Sequence, residues 1–235
     1  MSVDRRTMFS AFNLSADRRS TRGVANGRFP APVSSRDQIR DRHFPNLILT
    51  TQEGTKVRFY DDLIKDKIVV LNFMFTSCSG VCPAITSNLA RVQKILGPRV
   101  GRDIFMYSIS LKPEEDDPAT LNEYARVHGA KPGWLFLTGD RYDVDTLRMR
   151  LLSEFHPAID LDPDEHTGMI RVINDSLNRW FCAPSGASVE TLVQTVRWCD
   201  PPKSLEVRMR ENAIIQAKIN KLQVLPTWLG SLGES

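Results

Sequence analysis

The hydrophobic pattern of this chain changes character at Phe44. Before it, residues 1–43 carry almost no apolar periodicity. After it, strand-length apolar runs alternate with apolar residues at helical spacing. Asn46–Gln52 and Val57–Phe59 read as short strands around the turn Glu53-Gly54. Ile68–Phe75 is an apolar run interrupted only by Asn72, the pattern of a strand covered on both faces. From Cys82 to Leu96, Ile85, Leu89, Val92, Ile95 and Leu96 recur at helical spacing, and the pattern stops at Gly97-Pro98. Ile104–Ser110 is the next strand. Asp117-Pro118 opens a helix through Leu121, Tyr124, Ala125 and His128, closed by Gly129, with proline at an allowed first-turn position. Trp134–Leu137 is strand-like and Val144–Leu152 helical. Gly168–Ile173 and Arg179–Cys182 read as a hairpin joined through residues 174–178, and Ser188 caps a helix reaching about Trp198.

Strands alternating with helices, then a hairpin and a last helix, predict an α/β fold, a thioredoxin-like sandwich over residues 44–200. Asp200-Pro201-Pro202 ends it. Residues 201–235 form a C-terminal helical extension, with Met209, Ile215, Ile219 and Leu222 on an apolar stripe over Leu205–Leu222. That stripe is expected to pack on its own domain, with a partner or self-association surface as the other reading. Residues 1–43 read as a flexible basic arm: nine arginines against four aspartates leave +5 there, and the rest of this +3 chain carries −2. Arg5-Arg6 resembles the twin arginine of an export signal without the apolar region that follows one, and an Arg- and Ser-rich start is shared with transit peptides; a solvated arm is the expectation. The net charge is too small to imply a nucleic-acid partner. No apolar run is long enough to cross a bilayer.

Two cysteines carry the chemistry. Cys78 and Cys82 lie one helical turn apart where the apolar strand ends and a helix begins. Thiols placed there meet backbone N–H groups and the positive end of a helix dipole, which favour thiolate. Thiolates attack disulfides and bind soft metals. A plain thioredoxin-type redox motif has only two residues between its cysteines; three leave more room for an ion. Two thiolates alone are an incomplete metal site, so a third soft or borderline ligand is expected. His43 lies in the arm, and His128 ends a helix, where a cation suits the dipole. His156 precedes a proline in an irregular stretch. His166, just before the hairpin, belongs to a loop that in this fold lies near the end of the central strand, and is the expected third ligand. Cys182 reads as a small buried hydrophobe and Cys199 as a helix-end residue. A disulfide between them is an option in an oxidising compartment.

The residues match a family. Phe73-Met74-Phe75-Thr76-Ser77-Cys78-Ser79-Gly80-Val81-Cys82-Pro83 resembles the Sco/SenC motif F-x-[YF]-T-x-C-P-x-V-C-P. Residues 108–118 resemble its S-I-S-V-D-P-E-x-D-T-P, residues 121–124 its L-x-x-Y, residues 134–139 its W-x-x-L-T-G, and His166-Thr167 its D-H-[ST] segment. The resemblance covers about residues 44–199. It implies a thioredoxin-like domain that binds one copper ion, as Cu(I) or Cu(II), through Cys78, Cys82 and His166. It implies a partner in the copper-centre subunit of cytochrome c oxidase, or in another copper or thiol protein, and a place outside the cytoplasm, periplasmic or tethered to a membrane. The family's proline and acidic residue between the cysteines are Ser79 and Gly80 here, and the aspartate of S-V-D-P is Lys112.

The expected function is therefore that of a copper-binding metallochaperone assisting assembly of the binuclear copper centre. A thiol–disulfide reductase using Cys78 and Cys82 as its redox pair without stored metal is the second reading, with Cys78 attacking and Cys82 resolving. A redox-sensing or peroxide-reducing protein is the third.

Overall fold

The computed structural model describes residues 35–152 and 168–223, which fall in one compact unit. Its centre is a seven-stranded sheet: β1 (Ile48–Thr51), β2 (Lys56–Arg58), β3 (Ile68–Met74), β4 (Ile104–Ser110), β5 (Trp134–Gly139), β6 (Met169–Asn174) and β7 (Arg179–Pro184), in the spatial order β2-β1-β5-β4-β3-β6-β7. β3, β4 and β5 run parallel, while β1, β6 and β7 join antiparallel. The helices are α1 (Ser35–His43), α2 (Val81–Leu96), α3 (Pro118–Val127), α4 (Arg141–Leu152), α5 (Val189–Trp198) and α6 (Leu205–Gln223). This mixed sheet with covering helices is the thioredoxin-like sandwich expected from the sequence.

All seven residues of β3 are buried, so layers of side chains close over both of its faces. That is why its sequence reads apolar without alternation. The interruption at Asn72 has a partner. Ser108, its register neighbour on β4, donates to Asn72 Oδ1 at 2.7 Å, and Trp134 of β5 donates through Nε1 to Ser108 Oγ at 3.0 Å. Three adjacent strands are thus pinned by a buried polar chain whose hydrogen bonds offset the desolvation of its members.

α2 packs on α5 and α6. Its Gln93 amide donates to the Lys131 carbonyl at 2.8 Å and accepts from the Lys131 N–H at 3.0 Å, fastening the turn after α3. Arg99, just beyond α2, grips the buried carboxylate of Asp200, which Lys203 also approaches at 3.3 Å. This ties the chain leaving α5 to the end of α2.

Several local expectations change. The last nine residues read as arm form α1, whose end lies against α4: Arg150 donates to the carbonyls of Asp41 and Arg42. Phe59–Ile64 form a π-helical turn that buries Phe59, Leu63 and Ile64. α4 begins at Arg141, ahead of Val144, because Asp140 Oδ1 accepts from the Tyr142 N–H. On α6, Ile215, Ile219 and Leu222 pack on the core, but Met209 is 62% exposed, so only the second half of the stripe covers the domain. Cys182 is half-buried on β7, less enclosed than expected. Cys199 is fully buried, directs its thiol to the Val172 carbonyl at 3.6 Å, and burial pushes it up to about 12. Both are free thiols, and the disulfide option is not taken up.

Gly133, entering β5, shows how tightly the loops meet. Its φ is +91°, and an added Cβ would stand 2.4 Å from the Gly101 amide nitrogen and 2.6 Å from the Gly101 Cα. Backbone cannot yield as a side-chain tip can. Gly133→Ala is therefore expected to cost roughly 2–4 kcal/mol, combining the left-handed penalty with the clash. Urea unfolding followed by circular dichroism checks this, and an unchanged midpoint refutes the close approach.

Candidate metal and thiol centre

The centre is built at the C-terminal end of β3. After Met74 the chain leaves the sheet through Phe75-Thr76-Ser77, and the Cys78 N–H reaches back to the Phe75 carbonyl at 3.4 Å. Gly80 is the N-cap residue of α2, and Cys82 is the second residue of the helix. Cys78 is half-buried in the turn, while Cys82 is fully buried. The Cys82 thiol is within reach of Cys78 as a hydrogen-bond donor. The structure therefore brings the expected redox pair together.

Their environments push them apart. Burial raises Cys82 to about 12, and the charges of Cys78 and Asp116 add to the rise. Burial also opposes the Cys78 thiolate. It is outweighed by hydrogen bonds from the Cys82 N–H, the Cys82 thiol and the Gly80 and Val81 N–H groups, so Cys78 falls below the ordinary thiol value. These amides are the unsatisfied donors of a helix start, which favour an anion. Cys78 is thus the more acidic thiol of the pair, and Cys82 the one that keeps its proton.

A buried carboxylate holds the turn. Asp116 accepts from the Thr76 N–H at 3.1 Å, from the Thr76 hydroxyl, and from the Ser110 hydroxyl at 2.5 Å. It ties the cysteine turn to the end of β4. Ser77 adds an outer bond to Glu115 at 3.0 Å, and the Lys112 ammonium lies 4.4 Å over the Phe75 ring. Behind the helix start, the Thr86 hydroxyl donates to the Cys82 carbonyl and meets the Tyr124 hydroxyl at 3.1 Å. Asp116 and Tyr124 fall on fixed positions of the motifs, but sequence reasoning gave neither them nor Thr86 a role at the site. The wholly acidic run Glu114–Asp117 offered no periodicity to show which acid turns inward.

β6 begins beside the cysteine turn. This strand pairs antiparallel with β3, with Ile170 opposite Asn72, so its start faces the end of β3 from which the cysteine turn departs. Gly168, φ +60°, lies so close to α2 that an added Cβ would stand 3.2 Å from Ile85 Cδ1 and 2.3 Å from Ser185 Oγ. His166 and His156 lie outside the described residues. Of the other histidines, His43 meets the Trp180 ring at 5.1 Å and His128 stacks on Tyr124 at 4.2 Å. His128 is the C-cap residue of α3, the place expected for it, and burial lowers its pKa. Among the described residues no group of three histidine, cysteine or acidic side chains is arranged to hold a metal ion. The described part of the centre is a dithiol, a donor set that suits a soft ion.

Residues 37–199 match the SCO1/SenC family. The chain belongs to that family. A SCO1 protein homolog of Bacillus subtilis is 32% identical over 89 residues, covering 37% of this chain and 45% of that relative. The chain spans 45–65% of the length of the curated relatives it is compared with. Yeast Sco1 with copper bound has the same fold at a TM-score of 0.52 and 19% identity, covering 66% of this chain and 92% of that one. BsSco, described as a member of the Sco family of cytochrome c oxidase assembly proteins and as carrying a disulfide switch, aligns at a TM-score of 0.53 and 20% identity, over 65% of this chain and 90% of that one. This SCO1/SenC protein therefore shares its fold with both.

Two outcomes follow from the thiol environments. Alkylation of Cys78 is expected to rise with pH to half its plateau below 9.0, the ordinary thiol value, while Cys82 stays unmodified until pH approaches about 12. Mass mapping after timed iodoacetamide pulses separates them, and equal labelling at pH 8 contradicts the assignment. Asp116→Asn is expected to cost roughly 1–3 kcal/mol in stability, since it weakens charge-assisted bonds to Thr76 and Ser110. Chemical denaturation measures this, and a loss near zero would mean that the carboxylate does not hold the turn.

Proposed function

We propose that this protein is a copper-binding metallochaperone. It holds one copper ion through Cys78, Cys82 and His166 and passes it to the copper-centre subunit of cytochrome c oxidase outside the cytoplasm. The observation that carries this reading is the dithiol at the start of α2, with one sulfur half-buried and cradled by amides. Two thiolates suit Cu(I), and an added imidazole suits Cu(II). The start of β6 beside α2 supports His166 as third ligand, because the two chain steps from Gly168 to His166 span at most about 7 Å. Family membership and the copper held by yeast Sco1 support the cargo. Cys82 must release its proton when copper binds, so uptake is coupled to proton loss. Among the described residues no helix is long and apolar enough to cross a membrane.

The split between the thiols favours a second reading, dithiol reduction of a partner disulfide. The Cys78 thiolate attacks one sulfur of that disulfide and expels the other as a thiolate, giving a mixed disulfide. Cys82 then loses its proton and attacks the Cys78 sulfur, releasing the second partner thiol. A Cys78–Cys82 disulfide remains, and two electrons have passed to the partner.

Titration of the reduced protein with Cu(I) against a competing chelator is expected to give about one equivalent bound, lost in a Cys78→Ser, Cys82→Ser double variant. His166→Ala should weaken Cu(II) much more than Cu(I) and shift the thiolate-to-copper absorption, while disulfide exchange at the cysteines persists. Unchanged Cu(II) affinity and spectrum in that variant would remove His166 from the ligand set and pass the role to His156 or to metal-free chemistry.

A further inference from the structure

A second concave surface lies away from the cysteines, along the C-terminal half of α2. It is a groove of about 780 Å³ between α2, the end of α3 and the end of α6. It begins at Ser87, five residues beyond Cys82, and reaches Gly97, about 15 Å along the helix axis at 1.5 Å per residue. An extended peptide rises about 3.3 Å per residue, so four or five residues fit that length.

The lining has an unusual balance. Arg91 and Lys94 stand with Ser87 on one stripe of α2 at helical spacing, and Lys131 faces them from the turn after α3. Among the described residues no carboxylate lines the groove, and none is paired with any of these three cations. Between the charges the floor is apolar, built from Ala90, Val127, Pro132 and Leu222, and Val127 is 65% exposed. The nearby helix ends do not supply the missing negative charge. The carbonyls of Tyr124, Ala125 and Arg126 accept from the N–H groups of His128, Ala130 and Gly129, and Lys218 takes the Ile95 carbonyl at 2.8 Å. The Gln93 amide bonds hold the Lys131 wall in place.

We propose that this groove is a docking site for an acidic segment of a partner protein, an extended stretch in which carboxylates alternate with apolar side chains. Carboxylates meet Arg91, Lys94 and Lys131, and the apolar side chains settle on Val127 and its neighbours. The concave shape favours an inserted segment over a flat anionic bilayer, which contacts convex surfaces. The site is separate from the thiol centre, so the copper reading and this one stand or fall independently.

The test uses the full chain and a short fluorescein-labelled peptide of alternating glutamate and leucine, followed by fluorescence anisotropy. Saturable binding is expected, weakening several-fold between low and physiological salt. A lysine–leucine counterpart should not bind. The triple variant Arg91→Glu, Lys94→Glu, Lys131→Glu should bind at least about 10-fold more weakly, whereas Arg58→Glu, outside the groove, should bind as the unmodified chain does. Val127→Ser, at an exposed position, should weaken the peptide about 3-fold through lost apolar contact. Unmodified Cys78 reactivity towards iodoacetamide in each variant shows that the fold is kept. No saturable binding, equal binding by the triple variant, or equal affinity for a plain glutamate peptide with no Val127 effect would each overturn the proposal. So would displacement of the peptide by vesicles of anionic phospholipid, which would make the surface a membrane contact.

Discussion

The functional end of this molecule depends on one buried carboxylate. Asp116 sits where β4 has ended and α3 has not begun, and it accepts from both the backbone and the hydroxyl of Thr76. That contact sets where the chain turns after β3, and so where Cys78 and the first amides of α2 point. Its negative charge also helps to keep Cys82 protonated. A protonated Cys82 can donate to Cys78, and that donation is part of what lowers the pKa of the outer sulfur. One anion thus positions the loop mechanically and divides the two sulfurs electrostatically. The enclosed site makes the division large, because charge interacts more strongly where water is excluded.

The remainder of the sheet serves to keep that end rigid. The parallel strands β3, β4 and β5 end at the same edge, and the chain from Asn72 through Ser108 to Trp134 crosses all three. Relative sliding of these strands would break two buried hydrogen bonds at once, each hard to replace in a dry core. α2 is held from the opposite end by α5, by the second half of α6 and by the amide of Gln93. The helix carrying Cys82 is thereby fixed at both ends.

Much of this was legible in the sequence. The apolar run of β3, the helical spacing from Ile85 to Leu96 and the Ser188 cap each follow from a strong local signal, and the structure has each element there. The cysteine pair at the strand-to-helix turn was equally plain, since its chemistry follows from spacing and position. What escaped notice depends on contacts distant in sequence. Asp116 meets Thr76 forty positions away; it falls on a fixed acid of the motif, but the motif does not say that this acid turns inward or what it holds. The π-helical turn at Phe59–Ile64 follows neither the strand nor the helix period. Met209 shares a stripe with Ile219, yet only the latter is covered, because the domain ends before it reaches the start of α6.

The amide cradle around Cys78 has a consequence for how this surface diversifies. The groups that hold the outer sulfur are mostly main-chain N–H groups, present whatever side chains the turn carries. Gly80 stands nearest, and a Cβ there would lie 3.9 Å from the sulfur, in ordinary contact and without a clash. The exposed positions of the turn are therefore largely uncoupled from the chemistry they surround. Ser79 and Gly80 can change in charge and bulk while the amides that lower the Cys78 pKa stay in place, because mutation does not remove main-chain atoms. Recognition and reactivity occupy the same few residues and are inherited separately.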